Sequence, residues 1–134
     1  MYKVIREVNW EAAHRLLRYK GKCANIHGHS YRAIFTFGSD KLDENGMVID
    51  FTILKKELQA WLDKYWDHAL MLNKLDPLTN IIGTRIYLFD GNPTAENMAR
   101  SLFSIANNMF KPDVHLVSVE VFEGLKSSAT YTLK

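Results

Sequence analysis

One cysteine, Cys23, is the only thiol in this chain of 134 residues. An internal disulfide is therefore excluded, and a reducing compartment fits. No apolar run approaches the ~20 residues a helix needs to span a bilayer. The N-terminal MYKVIREVNW interleaves charges where a secretion signal would carry an unbroken apolar core. A strong excess of one charge is also missing: the formal net charge is +2, too small by itself to point to nucleic acid. Repeats, linkers and low-complexity segments are absent. With 47% hydrophobic and 24% charged residues, the chain has the means to bury a core. These features predict a cytoplasmic protein folded as one domain over residues 1–134.

The pattern of apolar residues orders the chain. Tyr2, Val4, Val8 and Trp10 alternate with Lys3, Glu7 and Asn9, a half-buried first strand. A basic, irregular stretch from Arg15 to Lys22 follows. Alternation resumes from His29, with Tyr31, Ala33, Phe35 and Phe37 on one face. Asp50 then reads as the cap of a helix whose stripe is Phe51, Leu54, Leu58, Trp61, Leu62 and Tyr65. Residues 69–83 carry no clear pattern, and Arg85–Phe89 has the length of a short strand. Pro93-Thr94 opens a second helix, striped by Ala95, Met98, Ala99, Leu102, Ala106 and Met109 and stopped by Lys111-Pro112. Val117, Val119 and Val121 mark a third long strand, and Ser127–Leu133 a fourth. The expectation is an α+β domain: a four-stranded antiparallel sheet in ββααββ order, with both helices on one face. Its open edges are available to another subunit.

Chemistry concentrates in CANIHGHSY, Cys23 to Tyr31. Residues two apart on a strand point the same way, so His27 and His29 aim both imidazoles at one place. His14, just past the first strand, is the candidate third ligand. Three neutral histidines around Zn²⁺ leave one tetrahedral position open, as catalytic sites do. Cys23 lies among Lys22, Asn25 and His27, a setting that favours a thiolate over the small buried hydrophobe a free cysteine usually is. It could accept a proton, act as nucleophile or bind zinc, the last redundant beside three histidines.

Asp67-His68 falls at the expected end of the first helix. A carboxylate beside an imidazole can orient it, although neighbours in sequence usually serve different partners, and a histidine there also suits a helix C-terminus. Glu123 shares the parity of the valines, which places it at the rim of the apolar face or against a specific donor. Arg15, Arg18, Lys20 and Lys22 form either a solvated loop or a grip for an anionic group such as phosphate. His115 reads as structural.

Together these pieces resemble the 6-pyruvoyltetrahydropterin synthase family, including its queuosine-pathway branch, the 6-carboxytetrahydropterin synthases. WEAAH (Trp10–His14) resembles F-x-A-A/S-H, and CANIHGHSY matches C-x-x-x-H-G-H-x-Y. GMVIDF (Gly46–Phe51), WDHALMLN (Trp66–Asn73), NPTAEN (Asn92–Asn97) and Glu123 with Tyr131 are similar to further family motifs in the same order. The resemblance implies zinc on His14, His27 and His29. It implies Cys23, Asp67 and His68 as the proton-handling catalytic set, Glu123 as anchor for the pterin's guanidine-like edge, and Thr94 in the pterin pocket. It also implies the tunnelling (T-) fold, assembled as two stacked trimers with active sites between subunits. The implied reaction consumes 7,8-dihydroneopterin triphosphate, eliminates triphosphate and cleaves the side chain. The alternative is the pyruvoyl product, without cleavage. Three departures stand out: a longer segment from Lys74 to Asp90, Gly124 where threonine is common, and Trp10 in place of phenylalanine.

Overall fold

The computed structural model describes residues 1–81 and 83–134. The main elements are β1 (Tyr2–His14), β2 (His27–Ser39), α1 (Phe51–Tyr65), β3 (Leu70–Asn73), β4 (Ile86–Phe89), α2 (Ala95–Ala106), β5 (His115–Glu123) and β6 (Ser127–Thr132). Short 3₁₀ turns lie at Lys22–Ala24 and Pro77–Asn80.

The strands make one six-stranded sheet in the order β4-β3-β1-β2-β5-β6. Pairs β1–β2, β2–β5 and β5–β6 are antiparallel, whereas β1–β3 and β3–β4 are parallel. The expected four-stranded antiparallel sheet in ββααββ order is therefore corrected: β3 and β4 extend it between the two helices. Leu70, Met71 and Leu72 of β3 are all buried. A strand covered on both faces shows no alternation, so nothing in ALMLN announced it. The longer segment after Asn73 is the connection that lets β4 run parallel to β3, which a tight hairpin cannot do.

Both helices do pack on one face. Leu54, Leu58 and Leu62 of α1 and Met98, Ala99, Leu102 and Phe103 of α2 share a core with Trp10, Tyr31, Ala33, Phe35, Val119 and Val121. The strand members of that core are register partners, Trp10 with Tyr31 and Ala33 with Val121, so they have one orientation. Each helix starts on its expected cap. Asp50 Oδ1 accepts the Thr52 N–H at 2.8 Å, and Thr94 Oγ1 accepts the Asn97 N–H at 3.2 Å. The α2 helix ends at Ala106, ahead of the Lys111-Pro112 stop. The opposite sheet face is polar and carries cross-strand contacts such as Arg32 to Glu7 at 2.8 Å and Ser30 to Glu11 at 2.7 Å.

The segment after β3 is tied to the chain just after β1. Arg15 Nε and Nη2 donate to Asp76 Oδ2 and Oδ1 at 2.7 and 2.5 Å, and Asp76 is only 1% exposed. The Arg15 guanidinium holds the Asp76 carboxyl below the usual carboxylate range. A carboxyl with a lowered folded value contributes stability above its unfolded value, about 4, and loses it as pH falls through the folded value. Asp76→Asn is therefore expected to be less stable than wild type at neutral pH. The gap should close below about pH 4, as read by urea unfolding across a pH series.

Candidate metal centre

The β1–β2 register sets His14 opposite His27 and Ala12 opposite His29. Because these positions share a face with Trp10 and Tyr31, all three imidazoles point to one place. Their ring centroids form a near-equilateral triangle with sides of 4.6, 5.1 and 4.9 Å. One ring nitrogen from each lies within 4.8 Å of the other two. His14 is buried, and His27 and His29 are half-buried. Burial lowers the His14 pKa, against the opposing pull of the Pro93 carbonyl and Glu123, and so favours its neutral, ligating form.

Backbone carbonyls fix two of the tautomers. His14 Nδ1 donates to the Pro93 carbonyl and His27 Nδ1 to the Asn25 carbonyl, both at 2.7 Å. A carbonyl can only accept, so in the neutral rings both Nε2 atoms carry bare lone pairs. Those two atoms are 3.1 Å apart. His29 Nε2 is buried and makes no hydrogen bond, although Glu123 Oε1 lies 3.2 Å away. Glu123 Oε2 also comes within 3.9 Å of His14 Nε2. Lone pairs facing one another beside a carboxylate repel unless a cation lies among them. Three convergent imidazoles, two of them with backbone-anchored Nδ1 atoms, are a donor set that suits Zn²⁺.

A pocket of about 410 Å³ opens beside this cluster, lined by His14, Leu16, Cys23, Thr94, Glu123 and Ser127 among others. Cys23 sits in the Lys22–Ala24 turn, held by the Leu16 N–H donating to the Cys23 carbonyl at 2.8 Å. Glu123 stands at the rim of the apolar face, 29% exposed, in agreement with its strand parity. Thr94 lines the same pocket while its hydroxyl oxygen caps α2.

Asp67 and His68 do not join this group within one chain. His68 lines a second pocket of about 450 Å³ with Glu11, Ala12, Ala13, Gly28, His29 and Ser30 among others. Of these, Glu11, Ala13, Gly28 and Ser30 alternate with the three clustered histidines and face the other side of the sheet. The pair directly follows the end of α1, where Trp66 is the cap and the Asp67 N–H donates to the Leu62 carbonyl at 2.8 Å. His68 has a left-handed backbone (φ 57°), uncommon for a residue other than glycine and often a mark of functional sites. Its N–H donates to the Glu11 carbonyl at 2.6 Å, and the Glu11 N–H donates to Asp67 Oδ1 at 2.9 Å. That backbone brings His68 Nδ1 to 2.9 Å from Asp67 Oδ2, so the expectation of different partners is corrected: the two side chains bond each other. Burial would raise the Asp67 carboxyl, but the Glu11 amide, His68 and Arg85 outweigh it and hold it low. The Asp67 carboxylate is placed to orient the exposed His68 ring.

Of the four basic loop residues, Arg15 is committed to Asp76, so it is not free to grip an anion. Arg18, Lys20 and Lys22 are exposed. The family resemblance implied Thr94 in the pocket but not the Pro93 carbonyl as the group that orients His14. Only the tertiary approach of α2 to β1 reveals it.

Comparison with known proteins agrees with this architecture. A model of the family described as 6-pyruvoyl tetrahydropterin synthase matches residues 3–134. The chain is 34% identical over 135 residues to the 6-carboxy-5,6,7,8-tetrahydropterin synthase of Synechocystis sp., covering 98% of this chain and 93% of that protein. It is 39% identical over 104 residues to the protein of the same name from Rickettsia typhi, covering 74% and 75%. Among solved structures, an uncharacterized protein from Wolinella succinogenes superposes with a TM-score of 0.85 at 21% identity, covering 99% and 98%. The 6-pyruvoyl tetrahydropterin synthase of Caenorhabditis elegans gives 0.72 at 28% identity, covering 99% and 96%.

Proposed function

The chain belongs to the 6-pyruvoyl tetrahydropterin synthase family, and from that membership we propose that it is a zinc-dependent 6-carboxy-5,6,7,8-tetrahydropterin synthase. Its substrate in this reading is 7,8-dihydroneopterin triphosphate, and its product feeds queuosine-type 7-deazaguanine synthesis. The observation that carries the reading is the convergence of three bare or unpartnered imidazole nitrogens beside a pocket that also holds Cys23 and Glu123.

His14, His27 and His29 would hold the zinc, which as a Lewis acid would acidify protons next to the substrate oxygens it polarises. Glu123 accepts the paired N–H donors of the pterin's guanidine-like edge through charge-assisted hydrogen bonds. The pocket, bordered by Thr94 and Ser127, fixes the ring so that its side chain extends past Cys23. Cys23 takes a proton from the side chain, and His68, steadied by Asp67, returns one. Arg18, Lys20 and Lys22 offer charge for the triphosphate. Since Cys23 and His68 face different sides of one chain's sheet, the working site combines Cys23 of one subunit with Asp67 and His68 of a neighbour. That is in keeping with an assembly of two stacked trimers joined through sheet edges.

Incubation of the purified protein with 7,8-dihydroneopterin triphosphate tests the reading. Mass spectrometry should identify 6-carboxytetrahydropterin together with acetaldehyde and triphosphate. A pyruvoyl product without acetaldehyde would replace this reading with the alternative for which the C. elegans protein is named.

A further inference from the structure

We propose that Asn92 is a positioning residue: its side-chain amide fixes the loop carrying Cys23 to the helix terminus that orients His14. The inference rests on the reading of Cys23 and His14 given above, and its test is independent of turnover.

The loop between β1 and β2 holds Cys23 yet has little secondary structure of its own beyond the Lys22–Ala24 turn. It passes through Arg18 in the left-handed region (φ 62°), a conformation that costs energy unless neighbours hold it. The hold comes from Asn92. Asn92 Oδ1 accepts the Leu17 N–H at 2.9 Å, and Asn92 Nδ2 donates to the Leu17 carbonyl at 3.1 Å. The amide thus grips both polar groups of one loop residue, as a neighbouring strand would. The next residue back, Leu16, donates its N–H to the Cys23 carbonyl. Position is thereby passed from Asn92 through Leu17 and Leu16 to the thiol-bearing residue.

Asn92 is itself held from two sides. Asn73 Nδ2 donates to Asn92 Oδ1 at 3.2 Å, from the end of β3. Asn97 Nδ2 and the Thr94 N–H both donate to the Asn92 carbonyl at 2.8 Å, from the first turn of α2 and its cap. The residue after Asn92 is Pro93, whose carbonyl takes the His14 Nδ1 proton. One residue therefore links the two supports that the site depends on: its side chain grips the Cys23 loop, and its main-chain carbonyl is held by the start of α2, one residue before the acceptor that sets the His14 tautomer.

The single cysteine makes the test direct. Alkylation of Cys23 by a small maleimide in the metal-free protein reads the loop, and competition with a chromogenic chelator reads zinc affinity. Asn92→Ala is expected to raise the alkylation rate several-fold and to weaken zinc binding about tenfold, the usual effect of losing the support behind a metal-ligating histidine. Asn92→Asp keeps the acceptor for Leu17 and Asn73 but loses the donor, so it should fall between wild type and alanine. Leu58→Ala, a core truncation in α1, provides the stability control and should leave both readouts within twofold of wild type. The proposal is overturned if Asn92→Ala leaves alkylation and zinc affinity unchanged, or if Leu58→Ala shifts them as much. Failure of the pterin reaction would leave both readouts, and so this proposal, standing.

Discussion

Replacing Cys23 with alanine is expected to lower kcat by about 10²–10⁴-fold, the range a positioned general acid or base contributes, while zinc content stays at the wild-type level. The geometry separates these two outcomes. The triangle of ring nitrogens is complete without sulfur, and Cys23 reaches the pocket from a different segment, the turn at Lys22–Ala24. In the proposed mechanism, removal of the thiol would delete a proton carrier and leave the three histidines intact. Serine at the same position should recover little, because its hydroxyl holds its proton far more tightly than a thiol does. Parallel loss of zinc and activity in Cys23→Ala would instead make Cys23 a ligand, one of the other roles its position in the sequence leaves open. Activity and metal analysis on the same preparation distinguish the two.

A second large effect is expected from mixing two inactive variants. Cys23→Ala and His68→Ala should each lose most activity. When the two are unfolded together in equal amounts and reassembled, activity should return toward about a quarter of wild type, the share of sites that receive both intact groups in a randomly mixed symmetric assembly. The expectation follows from strand parity. Cys23 lies on the side of His14 and Glu123, whereas His68 lies on the side of Glu11 and Ser30. No rotamer change moves a side chain through a sheet, so in the proposed mechanism the two would meet only across a subunit boundary. A mixed assembly no more active than its parents would place the catalytic site within one chain and remove His68 from it.

The parts of the fold that could be read in the sequence are those with a solvated side. β1, β2 and β5 alternate because one face meets the helices and the other meets water, and α1 and α2 show stripes for the same reason. β3 was invisible because Leu70, Met71 and Leu72 are all covered. The histidine cluster was legible because His27 and His29 obey the strand period and His14 follows the first strand; the register that sets His14 directly across from His27 was not. Other features depend on contacts that no local pattern encodes. Arg15 meets Asp76 across 61 positions, and His14 meets the Pro93 carbonyl across 79. Arg15 read as a solvated loop charge or a grip for an anion, and nothing in the sequence singled out Asp76 as its partner. The direct bond between Asp67 and His68 required a left-handed histidine, a backbone state that an Asp-His pair does not signal. The side of the sheet on which His68 lies depends on the Glu11 backbone bonds and could not be inferred from its place after a helix.

The claim on which the rest depends is that His14, His27 and His29 form one zinc site. Elemental analysis of the purified protein, beside His29→Ala prepared identically, tests it most directly. The expected result is one equivalent of zinc per chain in wild type, falling by about 10-fold or more in retained metal when the ligand is removed. A wild-type chain that takes up no stoichiometric zinc even when reconstituted, or a His29→Ala variant that keeps a full equivalent, would contradict the account.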